Sequence, residues 1–310
     1  GARPARKSVG LVVREVQRRR VTVQRLQPAL NVVGLVGHCA VRFHVMGERS
    51  LGDEPPTAGS WGGTSWVDTH AKLVTYVQAN PGPCDVLLIG DSITQQWGSP
   101  LDMGVLNAAW LKAFPSAKTI NIGFGGDKSQ NVLWRLDHGG VDGLKPKAIV
   151  LMIGNNNMFF TPETGVAAAA QGVKACLANL REKFPEADVV VAKILPCHAP
   201  KVRFYEDILL TNAEIDKLNL GADPKVKLLN LTKDFLNEDG TIKKELFTPD
   251  NIHLSLAGYE VYAARLKPLL DATLGGKGLG VLGPLVLGAA IGFYDGFFGP
   301  GTGGFLIFLF

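Results

Sequence analysis

Four short stretches of the chain carry residues that can do chemistry together. "GDS" at 90–92 offers a serine hydroxyl, and "GFGGD" at 123–127 a bare, glycine-rich backbone. "GNNN" at 154–157 offers side-chain amides, and "DNIH" at 250–253 a carboxylate three residues before an imidazole. Ester hydrolysis by a serine needs a nucleophile, a base to take its proton, a group to orient that base, and donors for the oxyanion. Ser92 is the candidate nucleophile. His253 is the candidate base, because an imidazole of ordinary pKa about 6.5 can accept the serine proton and return it to the leaving alcohol. Asp250 can reach back through a tight turn to hold the other ring nitrogen, which fixes tautomer and orientation. The Ser92 amide, the Gly126 amide and the Asn156 side chain are the candidate oxyanion donors, each worth roughly 3 to 4 kcal/mol in a transition state. Glycine suits position 126 because a missing side chain lets substrate approach the backbone.

Other readings of the same residues compete. A serine after a strand commonly caps the next helix; it is the three distant stretches that argue for a nucleophile at Ser92. His38, His44, His70, His138 and His198 lack an aspartate three residues earlier followed by a helix start. His198, after an apolar run, is instead a candidate for lining the substrate crevice. Ile93 and Ile252 flank the nucleophile and the base, and with Asn155 they are candidate pocket residues. Two branched side chains there suit a short acyl group such as acetyl. Asp91 and Asp127 read as loop-bracing residues. A metal centre is poorly served by one histidine and no paired carboxylates, so no metal or other cofactor is expected.

These loops must be delivered by something regular. Apolar, strand-like runs cover 85–90, 119–123, 148–154, 188–195 and 226–231, each followed by a polar or glycine-rich turn and a helical stretch. That is the spacing of βαβ units. "TPETGVAAAAQGVKACLANLREKF" opens with a capping Thr161 and Pro162 at the first helical position, and "SLAGYEVYAARLKPLL" opens the same way at Ser255. Strands rich in Val, Ile and Leu with little alternation are buried on both faces, which predicts a three-layer α/β/α sandwich around a five-stranded parallel sheet. In such sheets ligands bind outside the carboxyl ends of the strands. All four chemical stretches follow strands or open the last helix.

The order of the four stretches resembles the four blocks of the SGNH, or GDSL, hydrolases. The resemblance implies a flavodoxin-like SGNH fold and a Ser92–His253–Asp250 triad, with Ser92, Gly126 and Asn156 as the oxyanion hole. "NIGFGGDKSQNVLWRLDHGG" at 121–140 is similar over its whole length to the acetylhydrolase branch, typified by the catalytic subunits of intracellular platelet-activating-factor acetylhydrolase. The implied activity is that of a serine esterase, a carboxylesterase or acetylesterase acting on small-molecule esters of short acyl groups. Two positions depart from the pattern: Ile93 stands where the motif has Leu, and Asn155 where the acetylhydrolase branch usually has Thr. The alternative is a lipid-directed acetylhydrolase or lysophospholipase-type esterase held at a membrane by its tail. A non-catalytic binding module is a third reading, against which an intact triad argues.

The two ends differ from this body. The chain has 310 residues, 46% hydrophobic and 19% charged, which excludes a disordered protein. Its net charge of +4 divides unevenly: residues 1–50 hold ten basic and two acidic residues (+8), leaving 22 basic and 26 acidic (−4) for the rest. The Arg-rich leader, 1–60, lacks interleaved aromatics and any nucleic-acid motif, so no nucleic-acid partner is expected and it reads as a flexible or foreign extension. Residues 61–275 form the hydrolase domain. The tail, 276–310, is apolar and rich in glycine, and "GFYDGFFGPGTGGFL" at 292–306 resembles a signature of the sulfite-exporter family of membrane transporters. It lacks the other helices a transporter needs; a membrane or hydrophobic contact through 279–310, or self-association, is what its composition permits. Cys39, Cys84, Cys176 and Cys197 are widely spaced, which indicates neither a disulfide framework nor a zinc site. No signal-peptide pattern is visible, which favours the cytoplasm.

Overall fold

The computed structural model describes residues 65–98, 104–160, 165–197 and 203–275. All of the Arg-rich leader and all of the apolar tail, with its transporter-like stretch, lie outside the described residues.

Five parallel strands run in the order β2-β1-β3-β4-β5, with β1 at Gly82–Gly90, β2 at Thr119–Asn121, β3 at Leu144–Met152, β4 at Asp188–Ala192 and β5 at Val226–Leu229. This is the flavodoxin-like order, in which the chain reverses direction of travel between β1 and β3. Pairing is in register from Val86 against Thr119 on one side and Ala148 on the other. Leu87, Leu88 and Ile89 are wholly buried, each contributing roughly 1.5 to 3 kcal/mol by leaving water. Their neighbours on opposite pleats face two different helical layers, so the run shows no apolar alternation.

Helices α1 (Trp66–Ala79), α2 (Ser92–Gln95), α3 (Ala108–Ala113), α4 (Ser129–Asp137), α5 (Asn155–Phe160), α6 (Gly165–Lys183), α7 (Arg203–Lys217) and α8 (Leu256–Leu274) fill the connections. Ser255 caps α8 by accepting from the Gly258 amide at 3.2 Å, as its sequence predicts. The Thr161–Pro162 start lies outside the described residues; the helix is described from Gly165. Tyr259 of α8 packs edge-on and Tyr262 tilted against Trp97, which meets Trp110 of α3 at 5.2 Å. A second aromatic cluster of Trp66, Phe124 and Trp134 joins α1, the loop after β2 and α4.

Four strands end sooner than their apolar runs, β5 among them, at Leu229. The run at 188–195 leaves the ladder after Ala192 because Asn212 of α7 takes over the pairing, accepting from the Ile194 amide at 3.0 Å and donating to its carbonyl at 2.8 Å. Asn121 ends β2 in a similar way: its side-chain carbonyl accepts from the Gly123 amide at 2.9 Å. β3 stops at Met152, before Gly154, whose carbonyl accepts from Asn157 at 3.1 Å in the start of α5.

Candidate active site

β1 breaks at Asp91, and Ser92 is the first residue of α2. The cap of this helix is Asp91, whose side chain accepts from the Ile93 amide at 3.0 Å. Ser92 is therefore relieved of capping, and its hydroxyl is free to meet His253. The turn is pinned from two sides. Asn121 donates its side-chain amide to the carbonyls of Thr94 and Gln95 at 3.0 and 3.1 Å, and the Tyr259 hydroxyl donates to the Ile93 carbonyl at 2.6 Å. Gly123 lies so close that a Cβ there would come within 2.3 Å of the Gln95 nitrogen.

His253 arrives on the loop before α8. Its Nε2 is 2.8 Å from the Ser92 Oγ and its Nδ1 is 2.6 Å from the Asp250 Oδ2. With the carboxylate on Nδ1, that nitrogen carries the proton and Nε2 is left to accept from serine. The loop is self-contained. Asn251 adopts the left-handed conformation (φ 57°), and this tight turn lets Asp250 Oδ1 accept from the Ile252 and His253 amides at 2.8 and 3.0 Å and from the Thr248 hydroxyl at 2.7 Å. Partial burial pushes the Asp250 carboxyl up, but the hydrogen bonds from His253, Ile252 and Thr248 outweigh it and hold the group well below the usual carboxylate range. Asp250 stays ionised beside His253 Nδ1.

Asp91 behaves oppositely. It is 1% exposed, its Oδ2 has no hydrogen-bond partner, and burial raises its carboxyl to about 7 against the opposing effects of the Ile93 amide and His253. The nearby Cys197 thiol is pushed by burial, and next by Asp91, up to about 12, so it offers no rival nucleophile.

The candidate oxyanion donors stand on separate strand ends. Gly126 is buried and left-handed (φ 79°), a conformation that favours glycine. Asn156, in the first turn of α5, donates one Nδ2 hydrogen to the Asp127 carbonyl at 2.9 Å and has a second one left over. Asn157 holds the loop from behind, accepting from the Ser129 amide at 3.0 Å.

The residues from 88 to 261 match the model of the GDSL-like lipase/acylhydrolase family. The human platelet-activating factor acetylhydrolase IB subunit alpha1 is 30% identical over 242 residues, covering 77% of this chain and 98% of that protein. The chain belongs to the GDSL-like lipase/acylhydrolase family. Within it, the rat platelet-activating factor acetylhydrolase IB subunit alpha2 is 30% identical over 230 residues, covering 71% of this chain and 91% of its own. A GDSL-like lipase from Bacteroides thetaiotaomicron shares the fold at a TM-score of 0.50, with 18% identity over 66% of this chain and 97% of that one. The protein is thus a hydrolase of the SGNH class.

For this acylhydrolase the expected pocket residues divide. Ile93 is 1% exposed inside the main apolar core, among residues such as Trp97, Met152 and Tyr259, and supports the nucleophile turn from beneath instead of forming an open wall. Asn155 is buried, with its Oδ1 3.6 Å from the Cys197 Sγ. Ile252 is half-buried beside the base. His198 lies outside the described residues. Sequence reasoning did not single out Asn121, Thr248 or Tyr259. Each acts through side-chain hydrogen bonds; Asn121, two residues before the glycine-rich stretch, and Thr248, two before Asp250, stood close enough to a motif to be suspected, and Tyr259 did not.

Proposed function

We propose that the protein is a serine esterase that removes short acyl groups, acetyl foremost, from small-molecule esters. The observation that carries this reading is the continuous line from Ser92 Oγ to His253 Nε2 at 2.8 Å and from His253 Nδ1 to Asp250 Oδ2 at 2.6 Å. His253 takes the hydroxyl proton as Ser92 Oγ attacks the ester carbonyl. The resulting oxyanion accepts from the Ser92 and Gly126 amides and the second Nδ2 hydrogen of Asn156. As the bond to the alcohol breaks, His253 gives that alcohol its proton, leaving an acyl-serine. Water repeats the sequence: it loses a proton to His253, attacks the acyl carbonyl, and releases the acid and the free serine.

A fluorophosphonate probe is expected to label the wild type at Ser92 and to leave Ser92→Ala unlabelled; equal labelling of the mutant removes Ser92 from the mechanism. A panel of p-nitrophenyl esters is expected to fall in kcat/KM as the acyl chain lengthens beyond acetyl. The relatives named as platelet-activating factor acetylhydrolase subunits favour a second reading, in which the acetyl ester is borne by a lipid. A higher kcat/KM for an acetylated phospholipid than for an acetylated sugar or p-nitrophenyl acetate selects it. Those relatives are described as subunits, which supports self-association of this chain as well; light scattering at the mass of one chain would refute that.

A further inference from the structure

Behind the candidate oxyanion hole lies a buried charge cluster that no step above uses. Asp127 is 0% exposed and Arg135 1% exposed. Asp127 Oδ1 accepts from Trp66 Nε1 at 2.8 Å, while Oδ2 accepts from Arg135 Nε at 2.8 Å and lies 2.7 Å from Arg135 Nη2. Arg135 Nη1 donates in turn to the Ile122 carbonyl at 3.0 Å, at the start of the glycine-rich loop. The guanidinium also lies 5.2 Å from the centroid of the Phe124 ring in that loop. Two helices, α1 and α4, therefore grip one loop residue through its carboxylate.

That residue is placed where it governs two donors at once. Its amide donates to the Phe124 carbonyl at 3.2 Å, closing a turn around Gly125 and the left-handed Gly126, so fixing Asp127 fixes the turn that carries the Gly126 N–H. Its carbonyl accepts from Asn156 Nδ2 at 2.9 Å. A carbonyl can only accept, so this contact dictates that the Asn156 side-chain nitrogen, and not its oxygen, faces the loop. The second Nδ2 hydrogen, in a rigid planar amide, is thereby aimed away from Asp127. A free-standing pair of an aspartate and an arginine this deep is costly to bury, and one whose backbone orients two separate donors has a use beyond packing.

We propose that Asp127, clamped by Arg135 and Trp66, is a positioning residue for the oxyanion hole, acting through Gly126 and Asn156. This rests on the serine esterase reading above. Donors held ready for a developing charge act on the transition state and leave ground-state binding alone. Misaligning them should lower kcat with little change in KM.

The test is a double-mutant cycle on p-nitrophenyl acetate hydrolysis. Asn156→Ala is expected to lower kcat by about 100-fold or more, the loss typical of one oxyanion donor. Asp127→Asn is expected to lower kcat about 30-fold or more, with KM within about 3-fold, and to weaken an alkylboronic acid inhibitor in parallel. The combined variant should fall well short of the product of the two losses, because the part of the Asp127 effect that acts through Asn156 is already gone. Trp66→Phe, which loses only the Nε1 donor, should show a smaller kcat loss of about 3- to 10-fold and the same coupling to Asn156→Ala; it carries the cycle if Asp127→Asn fails to fold by circular dichroism. Losses that multiply fully, or a rise in KM at constant kcat, overturn the positioning role. Activity retained by Ser92→Ala overturns the esterase reading instead, so the two failures are distinct.

Discussion

The turn that carries Ser92 and the loop that carries His253 meet across 2.8 Å, yet they are built in opposite ways. The turn at 90–95 is largely buried and held from outside itself: the sheet carries it, Asn121 binds its carbonyls, Gly123 leaves no space beside it, and Tyr259 holds it from α8. The loop at 248–253 is half exposed and held from within, by hydrogen bonds among Thr248, Asp250, Ile252 and His253. Placement by packing makes position and stability one property. Placement by local hydrogen bonds separates them, so the loop can lose chemistry without losing the fold.

The sharpest way to test that separation is Asp250→Asn. Removing the charge and favouring the wrong imidazole tautomer should lower kcat roughly 10³- to 10⁴-fold, or about 4 to 5.5 kcal/mol in the barrier. Its thermal midpoint should stay close to that of the wild type; a large drop would show that the loop, too, is needed by the core. The converse change is Gly123→Ala, where a Cβ 2.3 Å from the Gln95 nitrogen has to displace backbone. A destabilisation of about 3 kcal/mol by urea unfolding is expected, and a stability within experimental error of the wild type would break the contrast.

A third change exploits the two aspartates. The Asp91 carboxyl is raised from 3.8 to about 7, so the folded protein holds a proton that the unfolded chain releases from about pH 4 upward. Wild-type stability at this group is full below pH 4, falls as pH rises through 7, and is level above. Asp91→Asn keeps the cap and cannot lose a proton. It should gain on the wild type by roughly 2 kcal/mol between pH 4 and 7, about half of the full linkage because buried sites relax around charge. Parallel stability curves for the two proteins would mean that Asp91 is not so raised. Asp250, whose carboxyl is depressed, has the reverse sign: its contribution is present above about pH 4 and is lost as pH falls. The smallest effect should come from Thr248→Val, which removes one neutral donor to Asp250 and costs about 1 kcal/mol in kcat/KM; an effect as large as that of Asp250→Asn would put Thr248 in the chemistry.

The difference between the two regions also explains what could be read from the sequence. "DNIH" is legible because its partners sit two or three residues apart, and "GDS" because a strand-like run ends on it. The five runs gave the sheet, since burial on both faces leaves a local apolar signature in each. Strand ends were less legible. Asn212 terminates β4 from 18 residues away, and nothing near Ile194 announces it. Ile93, beside the nucleophile in sequence, looked like a pocket residue, but a helix starting at Ser92 turns it toward the core. The grip of Trp66 on Asp127 spans 61 residues, and that of Tyr259 on Ile93 spans 166. Such pairs are choices of the folded chain, and one sequence does not reveal them.

The Tyr259 contact has a consequence for synthesis. The serine at 92 and the strand that presents it leave the ribosome early, whereas the histidine at 253 and the tyrosine that holds the serine's turn emerge among the last described residues. A growing chain can assemble its whole sheet before either arrives. If the serine esterase reading holds, incomplete products released before α8, the last of the described helices, would carry the fold's surface without its activity.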